Sequence, residues 1–213
     1  LAESAALLSP DETARFNRFR FDVDRHLYLL SHALLRRVLS AYAEVEPAAW
    51  VFSHNDAGRP EIAGPDSGLP LRFNLTHTRG LAACVVTHTV DCGVDAEALS
   101  VRRHPMGIAA RMFAAGELEV LRGLQGRAFL EQFYACWTLR EAYCKARGVG
   151  LAGSGKHFRF ERDASGAWRL RCGDESSCDD HWQLAVEPVA DTHLVAVAVN
   201  AAATGIRLQE FAF

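Results

Sequence analysis

Apolar residues recur every three to four positions from Asp24 to Tyr42, with Leu27, Leu30, Leu34, Leu35, Val38 and Leu39 on one side. This spacing predicts an amphipathic helix. Upstream, Ser9-Pro10-Asp11-Glu12 reads as a helix start: a capping serine, proline in the first turn, then acids at the positive end of the dipole. The period then shortens. Trp50–Ser53 predicts a short strand, Asn55–Gly58 a turn, and Leu71–Leu75 a strand after the Pro/Gly-rich loop Gly64–Pro70. Leu81–Thr87 and Asp91–Ala96 read as a hairpin closed near Thr89. Helical spacing returns over Pro105–Phe113, Gly116–Leu124 and Arg127–Arg147. Four strands are expected after that: Phe158–Glu161 and Trp168–Arg171 around an Asp-Ala-Ser-Gly turn, then Trp182–Val189 and Leu194–Val199 around Ala190-Asp191.

Helices followed by strands, twice over, predict an α+β chain of two similar α/β lobes, residues 1–98 and 99–213, joined near 97–104. No repeat is evident residue by residue, and no low-complexity tract interrupts the chain. At 213 residues, with 49% hydrophobic and 23% charged residues, it is long enough to bury a substantial core. A formal charge of −3 and a pI of about 6.3 give no electrostatic case for nucleic acid or an acidic membrane. No run approaches the roughly 18 apolar residues that a membrane-spanning helix needs. The chain opens at Leu1 rather than methionine, which predicts a segment lost upstream, and that end has no basic-then-apolar signal pattern. A soluble, cytoplasmic protein is expected. Its six cysteines, with no CxxC pair, are expected to be reduced and largely core. Of the 23 basic residues only Lys145 and Lys156 are lysines, a bias that draws attention to where a compact ammonium is kept.

Four short segments carry candidate chemistry. In Gly93-Val94-Asp95-Ala96-Glu97, strand alternation puts Asp95 and Glu97 on one face, where paired carboxylates suit Mg²⁺ or, more plainly, end a solvated strand. In Trp137–Lys145 of the long helix, Trp137, Glu141 and Lys145 fall at successive i, i+4 positions, either as a working stripe or as a surface ion pair. Phe73-Asn74-Leu75-Thr76-His77-Thr78-Arg79-Gly80 reads as a strand breaking into a polar loop, where a hydroxyl, an imidazole and backbone amides can hold phosphate. Gly58-Arg59-Pro60 is a turn presenting one arginine.

Taken in chain order, Gly58-Arg59-Pro60, Phe73–Thr78, Gly93–Glu97 and Trp137–Lys145 resemble the G-K-P, F-N-x-S-H-S, G-x-D-x-E and W-[ST]-x-K-E-x-x-x-K motifs of the Sfp-type 4′-phosphopantetheinyl transferases, with Gly150-Leu151 following as is usual there. The resemblance runs over most of the chain. It implies a pseudo-twofold, single-chain monomer with its site in the cleft between lobes. It implies transfer of phosphopantetheine from coenzyme A to a serine of an apo carrier protein of fatty-acid, polyketide or peptide synthesis, with release of adenosine 3′,5′-bisphosphate. By resemblance Asp95, Glu97 and Glu141 hold Mg²⁺, Glu141 accepts the serine proton, and Lys145 binds the pyrophosphate. Thr76 and His77 hold the 3′-phosphate, Arg59 lies by the adenine or that phosphate, and Arg15, with Arg18, is a further phosphate contact. Arg102, Arg103 and Arg111 are candidates to meet an acidic carrier helix.

The chain departs from the family pattern where Arg140 replaces lysine, where Thr76 and Thr78 replace serines, and at Leu27, where many relatives have an arginine that Arg25 would have to replace. Two other classes stay open: a catalytically silent module that binds coenzyme A or a carrier, and a Mg²⁺-dependent phosphohydrolase. Gly150–His157 fails as a P-loop because His157 stands where Ser or Thr is needed. His77, Cys84, His88 and Cys92 match no zinc spacing.

Overall fold

Ser9 caps the first substantial helix as expected. In this computed structural model, which describes residues 1–55, 58–101, 104–150, 156–173, 181–201 and 205–210, a short turn of helix, α1 (Ala2–Ala5), precedes α2 (Pro10–Phe16). The Ser9 hydroxyl accepts from the Glu12 amide (3.2 Å) and the Ser9 amide donates to Glu12 Oε2 (2.8 Å), so two end-of-helix donors are satisfied reciprocally. The long helix α3 (Asp22–Tyr42) then buries Leu29, Leu34, Leu35, Val38 and Leu39. A strand that the sequence pattern does not announce, β2 (Pro60–Gly64), pairs antiparallel with β1 (Val51–His54).

Next, β3 (Leu71–Thr78) runs unbroken through the segment read as a strand-to-loop break, and turns at Arg79-Gly80 into β4 (Leu81–His88). The hairpin expected between β4 and β5 (Cys92–Ala98) does not form. β5 pairs antiparallel with β9 (His193–Asn200), which pairs with β8 (Trp182–Val189), in the order β5-β9-β8. The reason is facial packing. Cys92, Val94 and Ala96 of β5, with Val195, Val197 and Val199 of β9, form an apolar face against Leu81, Ala83 and Val85, so β4 stacks on that sheet instead of extending it.

Helices α4 (Pro105–Met112), α5 (Ala115–Arg122) and α6 (Gly126–Arg147) follow the expected order, then β6 (Phe158–Arg162) and β7 (Trp168–Cys172), an antiparallel pair. α6 lies on the other face of the β5-β9-β8 sheet. Its Phe133, Cys136, Leu139 and Ala142 share a core with Leu194, Ala196 and Ala198 of β9.

Two buried ion pairs repeat across the halves. Arg36 of α3 bonds Glu12 at 2.7 Å, and Arg140 of α6 bonds Glu117 at 2.7 Å. Each glutamate also accepts from the amide three residues before it, capping its own short helix. Each guanidinium donates to a backbone carbonyl downstream, Trp50 or Phe158, and sits over a phenylalanine ring, Phe52 or Phe158. The same arrangement thus occurs twice, in groups that similarity of sequence does not expose.

Cys84, Cys92, Cys136 and Cys144 are free, as expected, but Cys172 at the end of β7 is disulfide-bonded. This corrects the expectation of reduced thiols throughout: Cys172 ends a two-stranded hairpin and is only half-buried, unlike the core thiols of α6. Among the described residues, no helix is long and apolar enough to cross a membrane.

Candidate active site

β5 and α6 meet at Gly93. A β-carbon there would lie 2.0 Å from the Ala142 carbonyl oxygen and 2.6 Å from the Ala146 amide nitrogen, so only glycine lets the helix backbone rest on the strand. This close approach sets α6 beside the next two same-face residues of the strand, Asp95 and Glu97. The end of β3 completes a cleft of about 360 Å³ lined by Thr76, His77, Asp95, Glu97, Glu141 and Lys145, among others. Six residues that the resemblance implies for the site thus line one cleft.

Among the described residues no strand pairs with the edge of β5 that faces β3, and side chains satisfy it. The Cys92 carbonyl accepts from Arg59 (3.1 Å), the Val94 amide donates to Asn74 Oδ1 (3.0 Å), and the Val94 carbonyl accepts from Lys145 Nζ (3.2 Å). Lys145 also donates to Asp95 Oδ1 (2.7 Å) and Thr76 Oγ1 (3.2 Å), while Thr76 Oγ1 donates to Asp95 Oδ1 (3.2 Å). Trp137 Nε1 donates to Glu97 Oε1 (3.1 Å).

Burial raises the pKa of Asp95 against the pull of Lys145 and Thr76. Burial, then the charge of Asp95, raises Glu141; Lys145 opposes them and Glu97 adds to the rise. His77, at the cleft mouth, is lowered by desolvation and then by the positive surroundings of His32, Lys145 and Arg15. Three carboxylates facing one cleft, and repelling one another, have the hard-oxygen chemistry of a Mg²⁺ site. As the side chains stand, Lys145 supplies the positive charge beside Asp95, and among the described residues no three potential ligands are gathered into a closed metal cage.

The remaining candidates fall in several places. Arg15 stands over the Tyr28 ring, at 5.6 Å, within electrostatic reach of His77. Arg59 reaches inward, and its guanidinium donates to the carbonyls of Ala146 (2.9 Å) and Cys92, which ties the β1–β2 turn to the C-terminal end of α6. Arg25 folds back on the carbonyl of Phe19 and on Asp22, so it does not stand in for the arginine absent at Leu27. Arg140 points away from the cleft into the core, fully buried against Glu117, and the departure there is structural. Arg18 and Arg111 are exposed, and Arg102 and Arg103 lie outside the described residues. Sequence reasoning missed Asn74, which joins β3 to β5, and the bond from Trp137 to Glu97. The asparagine inside a strand pattern was the available signal for the first.

Two family models match. One, described as 4′-phosphopantetheinyl transferase superfamily, covers residues 91–198, and the other, 4′-phosphopantetheinyl transferase, N-terminal, covers 1–89. The chain is similar to the 4′-phosphopantetheinyl transferase HetI of Nostoc sp., 38% identical over 71% of this chain and 64% of that protein. It is also similar to a phosphopantetheinyl transferase of Thraustochytrium sp., 28% identical over 93% of this chain and 72% of that one. The 4′-phosphopantetheinyl transferase Sfp of Bacillus subtilis is 27% identical over 69% of this chain and 63% of its own length. A solved holo-(acyl-carrier-protein) synthase of Bacillus anthracis superposes with a TM-score of 0.45 and 22% identity over 54% of this chain and 98% of that one.

Proposed function

The chain belongs to the 4′-phosphopantetheinyl transferase superfamily, and on that footing we propose that it transfers 4′-phosphopantetheine from coenzyme A to a serine of an apo carrier protein. The observation that carries the reading is the convergence of Asp95, Glu97, Glu141 and Lys145 with Thr76 and His77 on one cleft. The serine Oγ attacks the phosphorus that bears the pantetheine arm. A new P–O bond forms as the bond to the bridging oxygen breaks, leaving a phosphodiester on the carrier and adenosine 3′,5′-bisphosphate in solution. Positioning and charge neutralisation do most of the work in such a step.

Glu141, half-buried and one helical turn from Lys145, accepts the serine proton directly or through a water. Lys145 neutralises the pyrophosphate and the charge growing on the leaving oxygen. Thr76, His77 and Arg15 bind the 3′-phosphate. Arg59 supports the site from behind, as a cap on the end of α6. Magnesium held by Asp95, Glu97 and Glu141 would supply further neutralisation of the pyrophosphate when bound. The protein works as a monomer, and we assign it to the cytoplasm on the strength of the four other described cysteines, which are free, although Cys172 is disulfide-bonded.

The test is intact mass of apo carrier proteins incubated with the chain, coenzyme A and Mg²⁺. One added phosphopantetheine is expected, lost on chelation and slowed at least about a hundredfold in Glu141→Gln. Release of adenosine 3′,5′-bisphosphate without a carrier would instead mark a hydrolase, and coenzyme A binding with no added mass on any carrier a silent module.

A further inference from the structure

Trp137 lies on α6 one helical turn before Glu141, and its indole N–H reaches across to Glu97 on β5 at 3.1 Å. The ring is half-buried and stacks nearly parallel on Phe133, with centroids 6.4 Å apart and planes 9° apart, and Phe133 is itself fully buried. A rigid ring backed by core cannot follow a moving carboxylate; the carboxylate must come to it. Glu97 is longer and more rotatable than Asp95, and it shares the cleft with Asp95 beside it on β5 and with Glu141 on α6.

We propose that Trp137 is a positioning residue: its indole N–H holds the Glu97 carboxylate toward the cleft, against repulsion from Asp95 and Glu141, in the arrangement that receives a divalent cation. The inference rests on the metal-dependent reading above. The distinction it draws is between the hydrogen bond and the ring, since phenylalanine at 137 keeps an aromatic ring beside Phe133 while removing the N–H together with the pyrrole half of the indole.

The experiment is calorimetric titration of Mn²⁺ into the full chain in the presence of coenzyme A, for wild type, Trp137→Phe, Glu97→Ala and the double variant. Trp137→Phe is expected to weaken Mn²⁺ binding about tenfold, with unchanged melting temperature and coenzyme A affinity. Its kcat recovers at saturating metal, while the metal concentration for half-maximal rate rises by the same factor. In the Glu97→Ala background, which has no acceptor for the indole, the second substitution adds nothing, because the bond acts through that carboxylate. Wild-type Mn²⁺ affinity in Trp137→Phe overturns the inference. So does a joint loss of stability, coenzyme A binding and Mn²⁺ binding, which marks a merely structural tryptophan. A wild-type chain that binds no Mn²⁺ overturns the metal reading of the cleft, and this inference with it.

Discussion

Lys145 is one of two lysines among 21 arginines and two lysines in all, and its ammonium rests on Asp95 at 2.7 Å. A compact charge on a flexible stem can sit on a carboxylate in the free protein and leave it for a phosphate, which a planar guanidinium fixed by several bonds does less readily. Lys145→Ala is therefore expected to abolish most transfer yet bind Mn²⁺ several-fold more tightly in the absence of coenzyme A. Weaker or unchanged binding would remove Asp95 from the ligand set. At Glu12, burial raises the carboxyl pKa, but the hydrogen bonds from His32 and the Ser9 amide and the charge of Arg36 outweigh it and bring it from 4.5 to about 2. The folded carboxyl stays ionised where the unfolded one takes a proton. Its contribution, on the order of 2–3 kcal/mol, is whole above about pH 4.5 and drains away as pH falls toward 2. Urea midpoints at pH 7 and pH 3 should converge in Glu12→Gln relative to wild type. Strand parity and helical i, i+4 spacing are local rules, and they set Asp95 with Glu97 and Glu141 with Lys145, but it was the family resemblance that assigned the four to one site. Asn74 and the Trp137–Glu97 bond were not legible in the sequence, because their partners lie 20 and 40 residues away.

Most elements follow from periodicity, and the exceptions share a cause. β2 is short, with Pro60 at one end and Gly64 at the other, so composition reads as loop where pairing with β1 makes strand. β5 was legible as a strand but its partner was not: neighbours in sequence usually pair, and here the apolar alternation of β4 is used for stacking. On α6, Arg140 sits beside Glu141 in sequence yet faces the opposite way, into Glu117 and the rings of Phe113, Phe158 and Phe160. Removing one member of a buried pair leaves an uncompensated charge, so Arg140→Ala should cost about 3–5 kcal/mol of stability. The fraction that remains folded should keep its KM for coenzyme A. A raised KM without a fall in melting temperature would return Arg140 to the cleft.

Across the whole molecule, one arginine–glutamate arrangement occurs twice, and the site residues beside it do not. With Arg36 and Arg140 taken as equivalent, the next position and the one four beyond it carry Glu141 and Lys145 on α6 but Arg37 and Ala41 on α3. The order of helices and strands led to the expectation of two similar lobes, and the arginine–glutamate pairs are arranged alike in each. Nor are the halves separable at residue 98, since β5, the last strand of the first, is built into a sheet with β8 and β9 of the second. The junction that remains, between β3 and β5, is made of side chains, and Asn74 accepts the Val94 amide where a strand would otherwise have offered a carbonyl. That amide is a clock for the junction alone. In heavy water its deuterium uptake depends on a single carboxamide, whereas the amides of β9 are guarded by ladders on both sides. Asn74→Ala should speed uptake at Val94 at least about tenfold while Val195 and Val197 keep their protection, and coenzyme A should slow it in the wild type. The two halves can thus be watched parting and closing at one hydrogen, in a protein whose sheets stay shut.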